Sequence, residues 1–269
     1  MRFLKGHGTE NDFVVLPDAP PLEPELVRAL CDRRAGIGAD GVLRVDRRDG
    51  RFFMDYRNAD GSVAEMCGNG IRVYARYLVD AGLAEPGTLP IGTRAGERVV
   101  QVPPTGDVTV EMGAPTALDV SPTVEGRPGT AVSMGNPHVV VELPDLAALG
   151  ALDLSRPPDV RPPLPDGQNV EFVVRRGPRL LAMRVHERGS GETRSCGTGV
   201  CAAVVAAVAW SDGAGLDEPW TVDVPGGRLS VTWLSAGPVL LSGPAVLLAS
   251  GEVDVDALTV RPAPALSPG

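Results

Sequence analysis

The sequence predicts an α/β fold built from two similar domains. Two segments, Cys67-Gly-Asn-Gly70 and Cys196-Gly-Thr-Gly199, share a Cys-Gly-x-Gly pattern, and an apolar, helix-like run follows each. Short strand-like segments flank both runs in the same order. Because the two cysteines lie close to half the chain length apart, an internal duplication accounts for the repetition.

In the first half, an apolar segment at 3–16 precedes a predicted helix at about 23–31 and a glycine turn at 36–38. Apolar and polar residues partly alternate over 52–57, which is typical of a strand. This strand leads to the first Cys-Gly motif and a predicted helix at 71–80. Further strands are predicted at 42–46, 88–91, 98–102 and 108–112.

The second half repeats this order around a motif helix at about 199–210. Its strands are predicted at 131–133, 139–142, 170–174, 180–185, 220–224, 229–233, 239–242 and 245–248. Proline-rich connectors at 156–158 and 161–165 cannot lie inside helices or central strands. We therefore predict domains at residues 1–115 and 116–260, a C-terminal strand near 245–256 as a candidate to complete the first domain, and a disordered tail at 261–269.

Composition excludes several classes of function. A formal charge of −9 over 269 residues argues against nucleic acid as a partner, since binding a polyanion needs clustered basic side chains. No apolar stretch approaches the roughly 18 residues of a membrane span, and the first residues lack the apolar core of a signal peptide. A cytoplasmic enzyme without a membrane partner is therefore expected.

The metal-ligating and cofactor-binding residue types are scarce. The four cysteines form no C-x-x-C pair and the three histidines are scattered, so no metal site is predicted. Lys5 is the only lysine, so a cofactor held as a lysine Schiff base has a single possible anchor.

Two cysteines at helix starts predict a specific chemistry. The unpaired first-turn N–H groups favour a thiolate and lower the thiol pKa from about 8.5 by at most roughly one unit. One thiolate can then remove a proton from a carbon next to a carboxylate, while the opposing thiol returns a proton to the other face. The same N–H groups can hold the carboxylate, so this inversion needs no cofactor.

Seven motifs follow one another along nearly the whole chain. They are His7-Gly8 with Asn11-Asp-Phe13, Arg33-x-x-Gly-Ile-Gly-Ala-Asp40, Arg57-Asn-x-Asp-Gly-Ser62, Met66-Cys-Gly-Asn-Gly70, Gly135-Asn-Pro-His138, Asn169-Val-Glu171, and Glu187-Arg-Gly189 with Ser195-Cys-Gly-Thr-Gly199. In this order they resemble the diaminopimelate epimerase family. The resemblance implies a pseudo-symmetric α+β roll in which a mostly antiparallel curved sheet surrounds a central helix in each domain, with the site between them. It also implies a cofactor-independent, homodimeric isomerase that interconverts LL- and meso-diaminopimelate on the bacterial route to lysine and peptidoglycan.

The resemblance also assigns roles to individual residues. Cys67 and Cys196 are implied as the acid and base, and His138 and Glu187 as groups that support them. The implied carboxylate cradle consists of the N–H groups of Gly68, Asn69, Gly197 and Thr198. The other implied substrate-binding side chains are those of Asn11, Asn58, Asn136, Asn169, Glu187 and Arg188, and a guanidinium suits a distal carboxylate.

The sequence departs from the family pattern at two positions, and its residues also allow three alternative interpretations. Gly41 stands where many members have Gln, and Glu10 replaces a usual glycine, which leaves fine substrate contacts open. Cys67 and Cys196 could instead form a disulfide between the domains, although cytoplasmic thiols are kept reduced. A proline or hydroxyproline racemase and a non-catalytic binding protein are the rival functions. Relatives of the racemase type commonly carry His where Asn69 stands.

Overall fold

The computed structural model describes residues 1–258, which form five helices and twenty strands. The helices are α1 (Pro24–Cys31), α2 (Gly68–Asp80), α3 (Leu146–Gly150), α4 (Gly197–Ala209) and α5 (Val255–Leu258). The strands before residue 129 are β1 (Arg2–Gly8), β2 (Asn11–Leu16), β3 (Gly41–Arg48), β4 (Arg51–Asn58), β5 (Gly87–Thr93), β6 (Gly96–Val102), β7 (Val108–Glu111), β8 (Thr116–Ala117), β9 (Thr123–Val124) and β10 (Arg127–Pro128). The strands after it are β11 (Thr130–Ser133), β12 (Pro137–Glu142), β13 (Val160–Arg161), β14 (Asn169–Gly177), β15 (Leu180–Glu187), β16 (Gly191–Thr193), β17 (Trp220–Val224), β18 (Gly227–Trp233), β19 (Val239–Gly243) and β20 (Val246–Glu252).

The two halves of the main sheet have the same pairing pattern. From β1 to β7, successive strands pair antiparallel, parallel, antiparallel, parallel, antiparallel and antiparallel. The strands β11, β12, β14, β15, β17, β18 and β19 repeat this pattern in order. The helices α2 and α4 occupy equivalent places, after the fourth strand of each set. This repetition confirms the predicted pseudo-symmetric, mostly antiparallel α/β fold.

The two sets of strands pair with each other at their boundary, and each also pairs with a strand that follows the other set in the chain. β7 pairs with β19, which joins both sets into one 17-stranded sheet. β8 follows the first set but pairs with β11 of the second, and β20 follows the second set but pairs with β1 of the first. The domain boundary near residue 115 stays a prediction, and the tail at 261–269 lies outside the described residues.

Each half wraps its strands around one central helix. α4 is built almost entirely from Gly, Ala and Val, and a helix that is apolar on all sides is expected to be buried on all sides. Valine is a weak helix former, so tertiary packing stabilises α4 more than local propensity does. α2 is also buried along most of its length, and residues of both helices belong to one continuous hydrophobic core.

The sequence predictions miss some local structure. Both motif helices begin earlier than predicted, at Gly68 and Gly197, because glycine weakens the helical signal in the first turn. The segment at 3–16 is a hairpin whose two-residue turn, Thr9-Glu10, has positive φ at both positions without a glycine. A small sheet of β9, β10 and β13 and the short helices α3 and α5 are also unpredicted. No helix among residues 1–258 is long and apolar enough to cross a membrane.

The hairpin turn packs on the second half with no room for an added methyl group. The Thr9 hydroxyl donates to the Ser195 hydroxyl at 2.7 Å, and Gly226 N–H donates to the Arg194 carbonyl at 2.9 Å. A Cβ placed on Gly226 would lie 1.9 Å from the Thr9 carbonyl oxygen. Glycine at this position therefore permits direct backbone contact between the halves.

We predict that Gly226→Ala destabilises the protein by about 3 kcal/mol, because the backbone of the turn must move to accept the methyl group. Urea unfolding of the variant and the parent measures the difference. Gly177→Ala is the matched control, since a Cβ there meets no atom of residues 1–258 within 4 Å. Equal midpoints for Gly226→Ala and the parent would contradict the proposed tight contact.

Candidate active site

The starts of α2 and α4 meet backbone to backbone. A Cβ on Gly197 would lie 3.2 Å from the Gly68 Cα and 3.5 Å from the Asn69 nitrogen. A Cβ on Gly68 would lie 3.0 Å from the side chains of Leu241 and Met112. The first glycine of each Cys-Gly-x-Gly motif therefore lets two helix N-termini converge, with their first-turn N–H groups free of intrahelical partners.

Cys67 and Cys196 are the N-cap residues of these helices. The Cys67 sulfur accepts a hydrogen bond from Gly70 N–H at 3.4 Å and lies 3.6 Å from Oδ1 of Asn11. The Cys196 sulfur lies 3.6 Å from the Thr198 hydroxyl. Cys196 is buried and Cys67 is half-buried, and all four cysteines of the chain are free thiols.

The thiol pKa values differ from the sequence prediction. Burial raises the pKa of Cys67 to about 11, and the N–H groups of Gly70 and Asn69 oppose this shift without overcoming it. Burial also raises the pKa of Cys196 well above its ordinary value. The predicted lowering of at most about one unit is therefore wrong for Cys67 and Cys196, because burial destabilises a thiolate more than the first-turn amides stabilise it.

Glu187 adds to this effect on both thiols. Its negative charge is the second cause of the raised pKa of Cys196, after burial, and it also raises the pKa of Cys67. Burial raises the pKa of Glu187 itself, while the Thr193 hydroxyl, which donates to its carboxylate, and the Cys196 thiol oppose that shift. Glu187 thus lies near enough to both thiols to influence their protonation.

His138 is completely buried between two oxygen atoms. Its Nδ1 lies 2.7 Å from Oε1 of Glu171, and its Nε2 lies 3.0 Å from Oδ1 of Asn136. The Asn136 amide donates to the Thr198 hydroxyl at 3.4 Å, which is consistent with Oδ1 facing the histidine. Each ring nitrogen of His138 therefore faces an oxygen atom, which fixes the orientation of the ring.

Glu171 is a site residue whose role the sequence did not predict. It is completely buried, and its Oε2 has no hydrogen-bond partner among residues 1–258. A Cβ on Gly199 would lie 2.5 Å from Oε1 of Glu171. The second glycine of the motif therefore makes room for this carboxylate beside the first turn of α4.

The Asn69 side chain connects the two halves inside the site. Its amide nitrogen donates to Oδ1 of Asn11 at 3.2 Å and to the Ser195 carbonyl at 3.1 Å. Its Oδ1 accepts from Nη2 of Arg72 at 3.0 Å. These contacts occupy the Asn69 side chain, so the backbone N–H of Asn69 is the group that a ligand can use.

The other predicted binding residues are held by local contacts. Asn11 donates to Asp40 at 2.8 Å, Asn58 donates to Ser62 at 3.0 Å, and Asn169 donates to the Pro137 carbonyl at 3.2 Å.

Arg188 lies at the exposed side of the site. Its backbone N–H donates to Oδ1 of Asn169 at 2.9 Å, and its guanidinium donates to the Asp166 carbonyl. The guanidinium is exposed and has a carbonyl rather than a carboxylate as its partner, so it can rotate toward a ligand.

The two departures from the family pattern have structural explanations. A Cβ on Gly41 would lie 2.6 Å from the Arg57 carbonyl and 2.7 Å from the Tyr56 ring, so this backbone has no room for a larger side chain. Glu10 has a φ of 61° and forms an ion pair with Arg194 of the second half of the chain. The Glu10 N–H donates to the His7 ring at 3.2 Å, so His7 orders this turn.

The described residues offer little to a metal or a Schiff-base cofactor. Among residues 1–258, no group of three or more His, Cys, Asp and Glu side chains is placed to hold a metal ion. Lys5, the single lysine, forms an ion pair with Asp12 at 2.5 Å and donates to the Gly38 carbonyl.

Comparison with known proteins identifies close relatives. The diaminopimelate epimerase family profile matches residues 3–118 and 130–248. A diaminopimelate epimerase of Streptomyces coelicolor is 53% identical, and the alignment covers 94% of this chain and 95% of that protein. One of Thermobifida fusca is 50% identical over 96% of this chain and all of that protein.

Solved structures with low sequence identity share the fold. A PhzF-family phenazine biosynthesis protein of Bacillus anthracis superposes with a TM-score of 0.73 at 16% identity, over 94% of this chain and 98% of that one. A probable proline racemase of Agrobacterium radiobacter superposes with a TM-score of 0.68 at 15% identity, over 94% and 92% of the two chains. At these identities the likeness concerns the fold alone.

We predict that alkylation of Cys67 by iodoacetamide rises about tenfold per pH unit from pH 7 to 10, because only the thiolate reacts and its pKa is about 11. Peptide mass spectrometry over time measures the rate in the ligand-free protein, with circular dichroism to verify folding at each pH. N-acetylcysteine is the control and levels off above its ordinary pKa. A plateau for Cys67 below pH 9 would show that the helix start outweighs burial.

Proposed function

Because the chain belongs to the diaminopimelate epimerase family, we propose that it interconverts LL- and meso-diaminopimelate by inverting one α-carbon. The observation that carries this proposal is the pair of Cys-Gly-x-Gly helix starts in backbone contact. This arrangement brings two thiols to one place where first-turn N–H groups converge. It suits a reaction that needs an acid, a base and a carboxylate site together.

The two thiols act on opposite faces of the α-carbon. The thiolate of one cysteine takes the α-proton, and the electron pair moves onto the carboxylate. The thiol of the other cysteine then gives its proton to the opposite face, so the two residues exchange protonation states. The reverse reaction uses them in the opposite roles.

One thiol must lose its proton before this cycle begins, since burial raises the pKa of both. Glu187 lies beside Cys196 and is a suitable acceptor for that proton. His138 lies near the start of α4, where its ring contacts Glu171 and Asn136. We assign Glu187 and His138 as groups that set thiol protonation.

The N–H groups of Gly68, Asn69, Gly197 and Thr198 form the α-carboxylate cradle in this proposal. Two helix dipoles and up to four donors then face the charge that grows on the carboxylate during proton removal. Asn136 lies next to His138 and Thr198, which suits a contact to the substrate's polar groups.

The remaining binding residues suit the distal end of the substrate. Arg188 carries an exposed guanidinium that can bind both oxygens of a second carboxylate. Asn11, Asn58 and Asn169 lie at strand ends and supply neutral donors and acceptors. A proline racemase has no use for a guanidinium at a distal carboxylate, so Arg188 and Asn69 favour diaminopimelate over that rival.

We propose a homodimer in the cytoplasm that needs no metal or organic cofactor. Sedimentation equilibrium tests the dimer, and full activity after dialysis against a chelator tests the absence of a metal.

We predict that Cys67→Ala and Cys196→Ala each lower epimerisation by at least about 10⁴-fold, because each removes one of the two groups that move the proton. Chiral chromatography of diaminopimelate measures turnover, and mass spectrometry measures deuterium uptake at the α-carbon in D₂O. Cys31→Ala is the matched control, a buried cysteine outside the site.

Full activity in either variant would reject the two-thiol assignment. Deuterium uptake into proline but not diaminopimelate would favour the racemase, and uptake into neither would favour a binding protein.

A further inference from the structure

Arg72 is a completely buried cation at the start of α2, and its hydrogen bonds within residues 1–258 go to neutral oxygens. Its Nη1 donates to the Gly68 carbonyl at 3.1 Å and its Nη2 to Oδ1 of Asn69 at 3.0 Å. Its Nε donates to the Pro244 carbonyl at 3.5 Å. Among residues 1–258, no carboxylate lies within 4.0 Å of its guanidinium.

A buried guanidinium without a counterion is costly, and this chain pairs another buried charge fully. The buried Asp55 carboxylate has ion pairs with Arg44, Arg57 and Arg94 at 2.6 to 3.0 Å. Burial lowers the pKa of Arg72 to about 10, so it remains charged at neutral pH. The uncompensated charge is therefore a specific feature that the fold maintains against its cost.

The surrounding backbone leaves room for this side chain. A Cβ on Gly8 would lie 2.9 Å from Nη2 of Arg72, and one on Gly243 would lie 3.5 Å from it. Gly8 and Gly243 belong to β1 and β19, one from each half. Strands from both halves thus enclose the guanidinium.

Arg72 acts on the two residues next to Cys67. It donates to the Gly68 carbonyl and to the Asn69 side chain. The backbone N–H groups of these two residues form half of the proposed carboxylate cradle. Its charge also reaches the Cys67 sulfur, where it lowers the thiol pKa against the larger effect of burial. Glu187 acts on the same thiol in the opposite direction, and Cys67, Cys201 and Asp107 are the titratable groups that act on Arg72.

We infer that Arg72 is a positioning residue whose uncompensated charge is balanced by the carboxylate of a bound amino acid, and that it favours the Cys67 thiolate. The inference rests on the proposed function for the identity of that anion. The guanidinium makes no direct contact with the ligand; it acts through Gly68, Asn69 and the field at the helix start. As the α-proton leaves, the carboxylate gains negative charge, and its attraction to the positive charge of Arg72 becomes stronger.

Arg76 provides a matched comparison one turn later in α2. It is also buried, and its guanidinium donates to the carbonyls of Pro103, Pro104 and Gly106. It lies 3.7 Å from Asp80, so its charge is partly compensated. These contacts fix the loop after β6, so we assign Arg76 a structural role.

The test compares Arg72→Gln, Arg72→Lys and Arg76→Gln in the full chain. We expect Arg72→Gln to lower kcat about 10²-fold, and to lower the rate of Cys67 alkylation at pH 8.5 several-fold, because both depend on the charge. Arg72→Lys keeps the charge and is expected to stay within about tenfold of the parent in kcat. Arg76→Gln is expected to lower the melting temperature without changing the alkylation rate.

Three results would overturn the inference. These are a kcat for Arg72→Gln within threefold of the parent, an equal loss in Arg72→Gln and Arg72→Lys, or an unchanged alkylation rate in folded Arg72→Gln. If Arg72→Gln does not fold, Arg72→Lys decides alone, and a loss above 10²-fold rejects the role of charge. If the parent does not epimerise diaminopimelate but the alkylation rates differ as expected, the proposed substrate fails while the effect of Arg72 on Cys67 stands.

Discussion

The backbone contact between Gly68 and Gly197 is the constraint on which the rest of the site depends. Without a side chain at either position, the starts of α2 and α4 approach closely enough to join their free N–H groups in one place. The cysteines that cap both helices are thereby brought to the same region. The surrounding strands support this contact, because β7 pairs with β19 and the exchanged strands β8 and β20 lock the two halves together. A duplicated fold thus produces one site from two equivalent helix starts.

Burial gives this site its electrostatic character. Both thiol pKa values are raised, because burial outweighs the effect of the amides at the helix starts. Arg72 contributes an unbalanced positive charge behind one helix start, while Glu187 and the His138–Glu171 pair lie near the other. A negatively charged ligand between the helix starts changes the electrostatic environment of every one of these groups. We expect ionisation of a thiol and binding of the carboxylate to be coupled for this reason.

Much of the fold was accessible from the sequence because its signals are local. The apolar run after each motif predicted α2 and α4, and valine-rich segments predicted most long strands. The Thr9-Glu10 turn was not predictable, since neither residue type normally adopts positive φ. Its conformation is maintained by contacts with Ser195 and Arg194 that lie far along the chain. The two-residue strand β8 carries too short a pattern to be recognised, and only its pairing with β11 defines it.

The sequence by itself determined the duplication, the two motif cysteines and the family, because these depend on residue types in a fixed order. Only the tertiary structure decided the protonation of the thiols and the partners of Asn69, Glu171 and Arg72. Glu171 and Arg72 are charged residues that the sequence alone would place in solvent, yet both are completely buried. Burial and long-range contacts set their electrostatic effect, and neither is encoded in the residues adjacent to them in the chain.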